Sequence, residues 1–327
     1  MMIANKWNQG AWIPTGGLLA WHAADQYNAA DVYDQSVNGR TLSGDPGNSA
    51  ALVPDHINGL PALYFDGTVG PSNWTGSVTP AHVFVITGYD GTSFGPAYCG
   101  LLTGSTAGDI LVGNISSANW FNFSDGRTYR RYDVEFPESA APGVFGTIGV
   151  VEVSRSSGWS LNGIQIGQQR SFTDRLWKGY WCEHLIYDRV LSDIERWKIY
   201  RYIACKYQIW PKILSGVSVF PFPSENTTQG ELGRETYSSE PYDGDPTYLI
   251  RGNFKNGSQL DFGVRRQEEI DAAEAFYKLH HPSERFAVRD YRYYPYRDTI
   301  GRFTSSLRKS GSDVAYRFNY SFDFVEV

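Results

Sequence analysis

Residues 178–207 read KGYWCEHLIYDRVLSDIERWKIYRYIACKY, and the decisive piece is Ser192-Asp193-Ile194-Glu195. It has the form of a capping box: the serine oxygen accepts from an orphan amide of the first turn, and Glu195 reaches back to the cap amide. Ile194, Trp197, Arg201 and Ala204, with Tyr200 and Tyr207, fall on one side at helical spacing. Lys206 sits in the last turn, where a cation suits the dipole, and Pro211 ends any continuation. The pattern predicts one helix that closes a long block and packs over an open end or edge of it.

Upstream of that helix almost no helical period occurs. GLLAW (17–21), LPALYF (60–65), HVFVIT (82–87), ILV (110–112), WFNF (120–123) and GTIGVVEV (146–153) read as short strands broken by Gly, Pro, Asn and Asp. Val83, Val85, Ile86, Ile148, Val150, Val151 and Val153 supply β-branched content. WSLNGIQIG (159–167) predicts a hairpin turning at Asn162-Gly163, two residues that tolerate positive φ. Many short strands with turn signals predict a β-sandwich or barrel.

Several stretches together resemble laminin-G-like, concanavalin-A-like jelly-roll modules. They are LLAW…AD at 18–25, YDQSVNG at 33–39, NGLPALYFDG at 58–67 and SLNG at 160–163. The closing run from Lys178 to Tyr207, with its Leu-Ser-Asp-x-Glu helix start and Tyr-x-x-x-Lys-Tyr end, belongs to the same likeness. The resemblance covers about two thirds of the chain and implies a mainly β chain whose N-terminal jelly roll, residues 1–212, is closed by one helix. Jelly rolls host many roles, so the fold alone does not name one.

After an extended entry at 213–246 the texture changes. TYLIRGNF (247–254) and SQLDFGV (258–264) flank Asn256-Gly257, a second hairpin signal. Gln267–His280 reads as a helix with Ile270, Ala273, Phe276 and Tyr277 inward, Glu268, Glu269 and Asp271 in its first turn, and Pro282 as its stop. Strands are predicted at 286–294 and 303–307. From Val314 to Val327 apolar and polar residues alternate at period two, predicting a long terminal strand with one buried face. Residues 247–327 therefore read as a smaller α+β domain, a β-sandwich plus one helix. This order resembles the domains of bacteriophage tail-tube, distal-tail and tail-tip proteins, carried by YLIRGNF, EAFY (274–277), FAVRD (286–290) and YSFDFVEV (320–327).

Composition narrows the function classes. The chain has 327 residues, 41% of them apolar and 15% aromatic, with a net charge of −6. Wholesale disorder is excluded. No apolar run is long enough for a membrane-spanning helix, and MMIANKWNQGAWIPTGG does not read as a secretory signal. Both blocks are net acidic, so no nucleic-acid partner is expected. Cys99, Cys182 and Cys205 are far apart and odd in number, which reads as three reduced thiols.

No nucleophile–base pair, phosphate loop or zinc-binding histidine spacing occurs. Asp133-Val134-Glu135-Phe136-Pro137-Glu138 is the nearest approach to a glycosidase's paired carboxylates, but Pro137 interrupts it, and a solvated acidic loop is the simpler reading. The jelly-roll likeness implies calcium as a candidate cofactor, with Asp25, Asp34 and Asp66 as candidate ligands. The alternative use of Asp34 and Asp66 is turn chemistry. Of the loop tryptophans Trp7, Trp12, Trp74, Trp120, Trp159 and Trp177, the sugar-stacking candidates are Trp74, Trp120 and Trp159. The alternating Arg and Tyr of 285–302 read as a protein interface at Arg289, Arg292, Tyr293, Tyr294, Tyr296 and Arg297.

Together the two resemblances imply a non-enzymatic structural protein of a bacteriophage virion, at the tail tip, baseplate or distal tail. It would be made in the host cytoplasm without a signal peptide. It would assemble as a homo-oligomer with other phage proteins, and its outward jelly roll would bind host surface polysaccharide. The alternatives are a head-decoration or head-fibre protein and a glycan-active jelly-roll enzyme.

Overall fold

The structure is a computed structural model that describes residues 13–70, 72–90, 98–104, 110–115, 126–136, 148–169, 174–212, 218–220, 257–280, 284–290, 297–303, 308–311 and 317–326. Its contacts divide the chain into two compact units, Met1–Ile199 and Tyr200–Val327.

In chain order the first unit contains β1 (Leu18–Asn28), β2 (Asp31–Asp34), β3 (Ala51–Ile57), β4 (Leu60–Asp66), β5 (Ser72–Val78), β6 (His82–Tyr89) and β7 (Tyr98–Thr103). Then come β8 (Ile110–Ile115), β9 (Thr128–Arg131), β10 (Val134–Phe136), β11 (Gly149–Ser154), β12 (Leu161–Ile166) and β13 (Lys178–Tyr187), followed by α1 (Asp193–Tyr207), which spans the division between units. Nine strands form a larger antiparallel sheet, ordered β10-β9-β11-β6-β13-β1-β2, with β4 also on β13 and β3 on β4. A smaller sheet is ordered β5-β12-β7-β8.

Both sheets feed one apolar core. Val83, Val85 and Trp181 come from the larger sheet, and Leu101, Leu161 and Ile166 from the smaller. The unit is therefore a β-sandwich, and the chain repeatedly crosses between its layers. The chain as a whole is mainly β, as the turn-rich sequence implies.

The predicted hairpin at 159–167 does not form. β12 runs straight through it, pairing with β5 on one side and β7 on the other, and the register slips between Asn162 and Ile164. Gly163 has φ 89°, and a Cβ there would lie 2.6 Å from the Trp74 carbonyl oxygen. Asn-Gly is used as a bulge, which needs the same positive φ as a turn. The Asn-Gly turn observed is Asn58-Gly59 (φ 49° and 70°), joining β3 to β4.

The capping box forms as read. Ser192 N–H donates to Glu195 Oε2 at 3.0 Å, and Glu195 N–H to Ser192 Oγ at 3.4 Å. The helix does not close an open end, however. Its first turns are fastened to the outer face of the larger sheet through Leu191 and Arg196. Ile194, expected inward, is 63% exposed, because the inward position of that turn is taken by Arg196.

The second unit contains β14 (Gly257–Arg266), α2 (Gln267–His280), β15 (Phe286–Asp290), β16 (Arg297–Phe303), β17 (Arg308–Gly311) and β18 (Arg317–Glu326). The described strands form one antiparallel sheet, β14-β18-β16-β15, with β17 also on β18, and α2 lies against β14, β18 and β16. The α2 bounds match the reading, and Ala273 and Phe276 are fully buried. Of the strand expected at 303–307, Phe303 is the last residue of β16 and 304–307 lie outside the described residues, as do the expected strands WFNF and TYLIRGNF.

A long terminal strand with one apolar face can leave an edge free for a neighbour, but β18 does not. It pairs along its whole length with β14, and its other edge is shared by β17 (318–321) and β16 (324–326). An alternating strand suits the middle of a sheet covered on one face as well as it suits an edge.

Candidate functional site

Three polar constellations stand out in the sandwich. The first surrounds Glu152, which is fully buried on the outer face of β11. Arg196 Nε donates to its Oε1 at 2.6 Å and Nη2 to its Oε2 at 2.9 Å, and Arg130 Nη1 adds a bond of 3.1 Å. His82 accepts the Leu191 amide at Nδ1, so its Nε2 carries the proton, donated to Glu152 at 2.9 Å. Burial alone would raise the Glu152 carboxyl; Arg196 and His82 more than reverse this and hold it well below the usual carboxylate range.

The same Arg196 reaches Asp133 at 2.5 Å and Asp193 at 3.0 Å. Asp133 and Tyr132 form the two-residue turn between β9 and β10 with φ of 70° and 53°, a conformation that side chains other than Gly and Asn rarely take. Glu135 lies on the exposed side and pairs with Arg130 at 2.5 Å. The acidic segment Asp133–Glu135 is therefore not a solvated loop but part of a clamp joining the hairpin, the sheet and α1.

A second buried carboxylate on that face, Glu183, accepts the Trp21 indole N–H at 2.6 Å. It stands two strands across from Glu152 and two residues offset. Ordinary strand spacing puts the two backbone positions about 12 Å apart. Glycosidase carboxyl groups stand at roughly 5–9.5 Å.

The second constellation is inside the core. His22 of β1 and His184 of β13 are both fully buried and directly paired. His22 Nε2–H donates to the Arg40 carbonyl at 2.7 Å, so its Nδ1 accepts from His184 Nε2–H at 2.8 Å. Burial pushes His22 down to about 4, against the raising effect of Asp34 and of the Arg40 carbonyl. Burial and then His22 push His184 well below its ordinary value. Both rings are neutral at neutral pH.

The third is an aromatic ladder on the outer face, at the end of β13 away from α1. Tyr64 and Tyr180 are cross-strand partners, and their neighbours Leu63, Phe65 and Trp181 point into the core. The two tyrosine rings lie 4.9 Å apart, and the His56 ring stacks on Tyr180 at 3.9 Å and 20°. A shift in the β3 register, with Asp55 at φ 49°, precedes His56. Tyr64 Oη–H donates to Asp90 at 2.9 Å. Burial and Asp90 push the Tyr64 phenol up to about 12. Asp66, Lys178 and Asp90 are exposed beside the rings, with Asp66 opposite Lys178 and the Asp90 amide bonded to the Lys178 carbonyl. Gly179 makes that closeness possible: at φ 144°, a Cβ there would fall 2.2 Å from the Gly88 carbonyl oxygen.

The residues expected from the sequence are distributed differently. Trp159 is 4% exposed in the core with the Arg127 guanidinium 5.3 Å from its ring centroid, so it offers no open face to a sugar. Trp177 is fully buried as well. Trp74 is half-buried at the edge of the smaller sheet with Arg40 5.3 Å from its ring, and Trp120 lies outside the described residues.

The Asp34 carboxylate accepts from the amides of Trp21, Ser36 and Arg40 and from the Ser36 hydroxyl. Asp66 accepts from the amides of Thr68 and Val69 and from the Thr68 hydroxyl. Asp25 accepts from the Gln26 side chain. Asp34 and Asp66 thus serve turn chemistry, and among the described residues no three His, Cys, Asp or Glu side chains gather as a metal site would require.

Of the interface set, Arg289 lies in β15 and Arg297 in β16, on adjacent paired strands, and Arg292, Tyr293, Tyr294 and Tyr296 lie outside the described residues. The ladder was not read from the sequence, because its rings are two Tyr and one His spread over 125 residues. Asn58-Gly59, which folds His56 back toward Tyr64, was its only local signal.

No protein-family model matches the chain, and no curated protein sequence does. Among solved structures, Trypanosoma rangeli sialidase in complex with sialic acid is similar over 56% of this chain and 32% of that one, at 16% identity and a TM-score of 0.38. The chain thus spans about a third of that protein's length.

Proposed function

We propose that the chain is a non-catalytic structural protein of a bacteriophage particle, as the likeness of its second block to tail proteins implies, and that its β-sandwich holds host surface glycan. One observation supports the non-catalytic part above the others. Glu152, the carboxylate best surrounded by charged partners, is sealed beneath α1 and fixed as an anion by Arg196, Arg130 and His82. A general acid must carry a proton near neutral pH and reach its substrate; Glu152 meets neither condition. Glu183 is equally buried and bonded to Trp21.

The assembly part does not rest on the terminal strand, which is paired on both edges within the chain. It rests on the likeness and on the Arg/Tyr segment 285–302, rich in residue types favoured at protein interfaces. Negative-stain electron microscopy of the full chain tests the reading. Closed multimers with one protruding lobe per subunit are the expected images. A field of single particles at micromolar concentration contradicts it.

A further inference from the structure

The larger sheet's outer face is split along β13. One end is sealed by α1 over Glu152. The other, about 16 Å along the strand from Leu185 to Tyr180 at 3.3 Å per residue, carries His56, Tyr180 and Tyr64, all partly exposed, and exposed Asp66, Lys178 and Asp90. The ladder rings lie outside the core cluster, to which their strand neighbours Leu63, Phe65 and Trp181 belong. The left-handed backbone at Asp55 and Asn58 and the close approach at Gly179 shape the segments that carry it. Left-handed backbone at a residue such as Asp55 concentrates at ligand-holding sites.

We propose that the ladder His56–Tyr180–Tyr64, with Asp90 and Lys178 at its rim, is a binding site for neutral pyranose sugars. The inference rests on the glycan-holding reading above and gives it a place. Flat rings match the CH face of a pyranose. Asp90, already oriented by Tyr64, accepts from sugar hydroxyls, and Lys178 donates to ring or hydroxyl oxygens. Two carboxylates against one ammonium make the rim acceptor-rich, so anionic sugars are disfavoured. The site sits on an open face, so a single sugar binds at roughly millimolar strength and many copies in a particle raise the effective affinity.

The experiment is saturation-transfer NMR on the full chain with methyl β-D-glucopyranoside and methyl β-D-galactopyranoside, with polygalacturonate as the anionic probe. Wild type is expected to bind at least one neutral glycoside, and His56→Ala and Tyr180→Ala each to raise Kd about tenfold, equivalent to about 1.4 kcal/mol. Asp90→Asn is expected to give a smaller rise, and Thr75→Ala, on the exposed face of the smaller sheet, none. His56→Ala removes only a partly exposed ring, so it serves even where Tyr180→Ala disturbs folding. Neutral sugar bound with unchanged Kd in His56→Ala and Asp90→Asn overturns the ladder and leaves a glycan site elsewhere. Neither glycoside bound by wild type overturns the glycan-holding reading as well. Polygalacturonate bound through the ladder overturns the neutral class.

Discussion

At Glu152 the sandwich keeps a full negative charge out of water because three cationic or donor side chains converge on it. Removing a partner is therefore much worse than removing the charge. Arg196→Ala is expected to destabilise the chain by about 3–5 kcal/mol in urea melts, and the added change Glu152→Leu to recover much of that loss. A small effect of Arg196→Ala would show that the clamp is exposed or mobile.

The histidine pair makes a separate prediction. His22 titrates at about 4 when folded against 6.5 unfolded, and His184 is lowered too. As pH falls from 6.5 toward 4 the unfolded chain takes up protons that the folded chain refuses, so stability falls across that window. His22 alone accounts for about 3 kcal/mol at the acid end. Urea midpoints followed by tryptophan fluorescence should decline from pH 6.5 to 4.5, before the carboxylates that are lowered in the fold are lost. A flat profile there would mean the pair is already charged or open to water.

At the element scale, α1, α2 and the strands starting at Leu60 and His82 were legible, because capping residues and β-branched runs act locally. The fate of Asn162-Gly163 was not, since a bulge and a turn need the same backbone and only the strands on either side decide between them. The pairing of β18 was hidden for the same reason: one wet face says nothing about edges. Trp159 was misplaced because a Gly/Ser-rich context marks turns, and a turn residue can still point into the core. Gly163→Ala is expected to cost about 1–3 kcal/mol, from φ 89° and the Trp74 carbonyl in its path. Ser192→Ala should cost about 1 kcal/mol through the lost cap, less than Arg196→Ala, because the clamp and not the cap fixes α1 to the sheet. Thermal melts of the two variants beside wild type check both values.

For the whole molecule, a mainly β chain was legible from texture alone. The sealed carboxylates and the aromatic ladder were not, since both depend on residues brought together from distant strands. Cys99, Cys182 and Cys205 are buried and form no disulfide, and the proposed role, a glycan-holding virion protein, works by being present in many copies. The most direct test is the mass of the full chain in solution by light scattering. The account predicts a species at a whole-number multiple, greater than one, of the 36.7 kDa chain. A persistent single-chain mass of 36.7 kDa at micromolar concentration would contradict it.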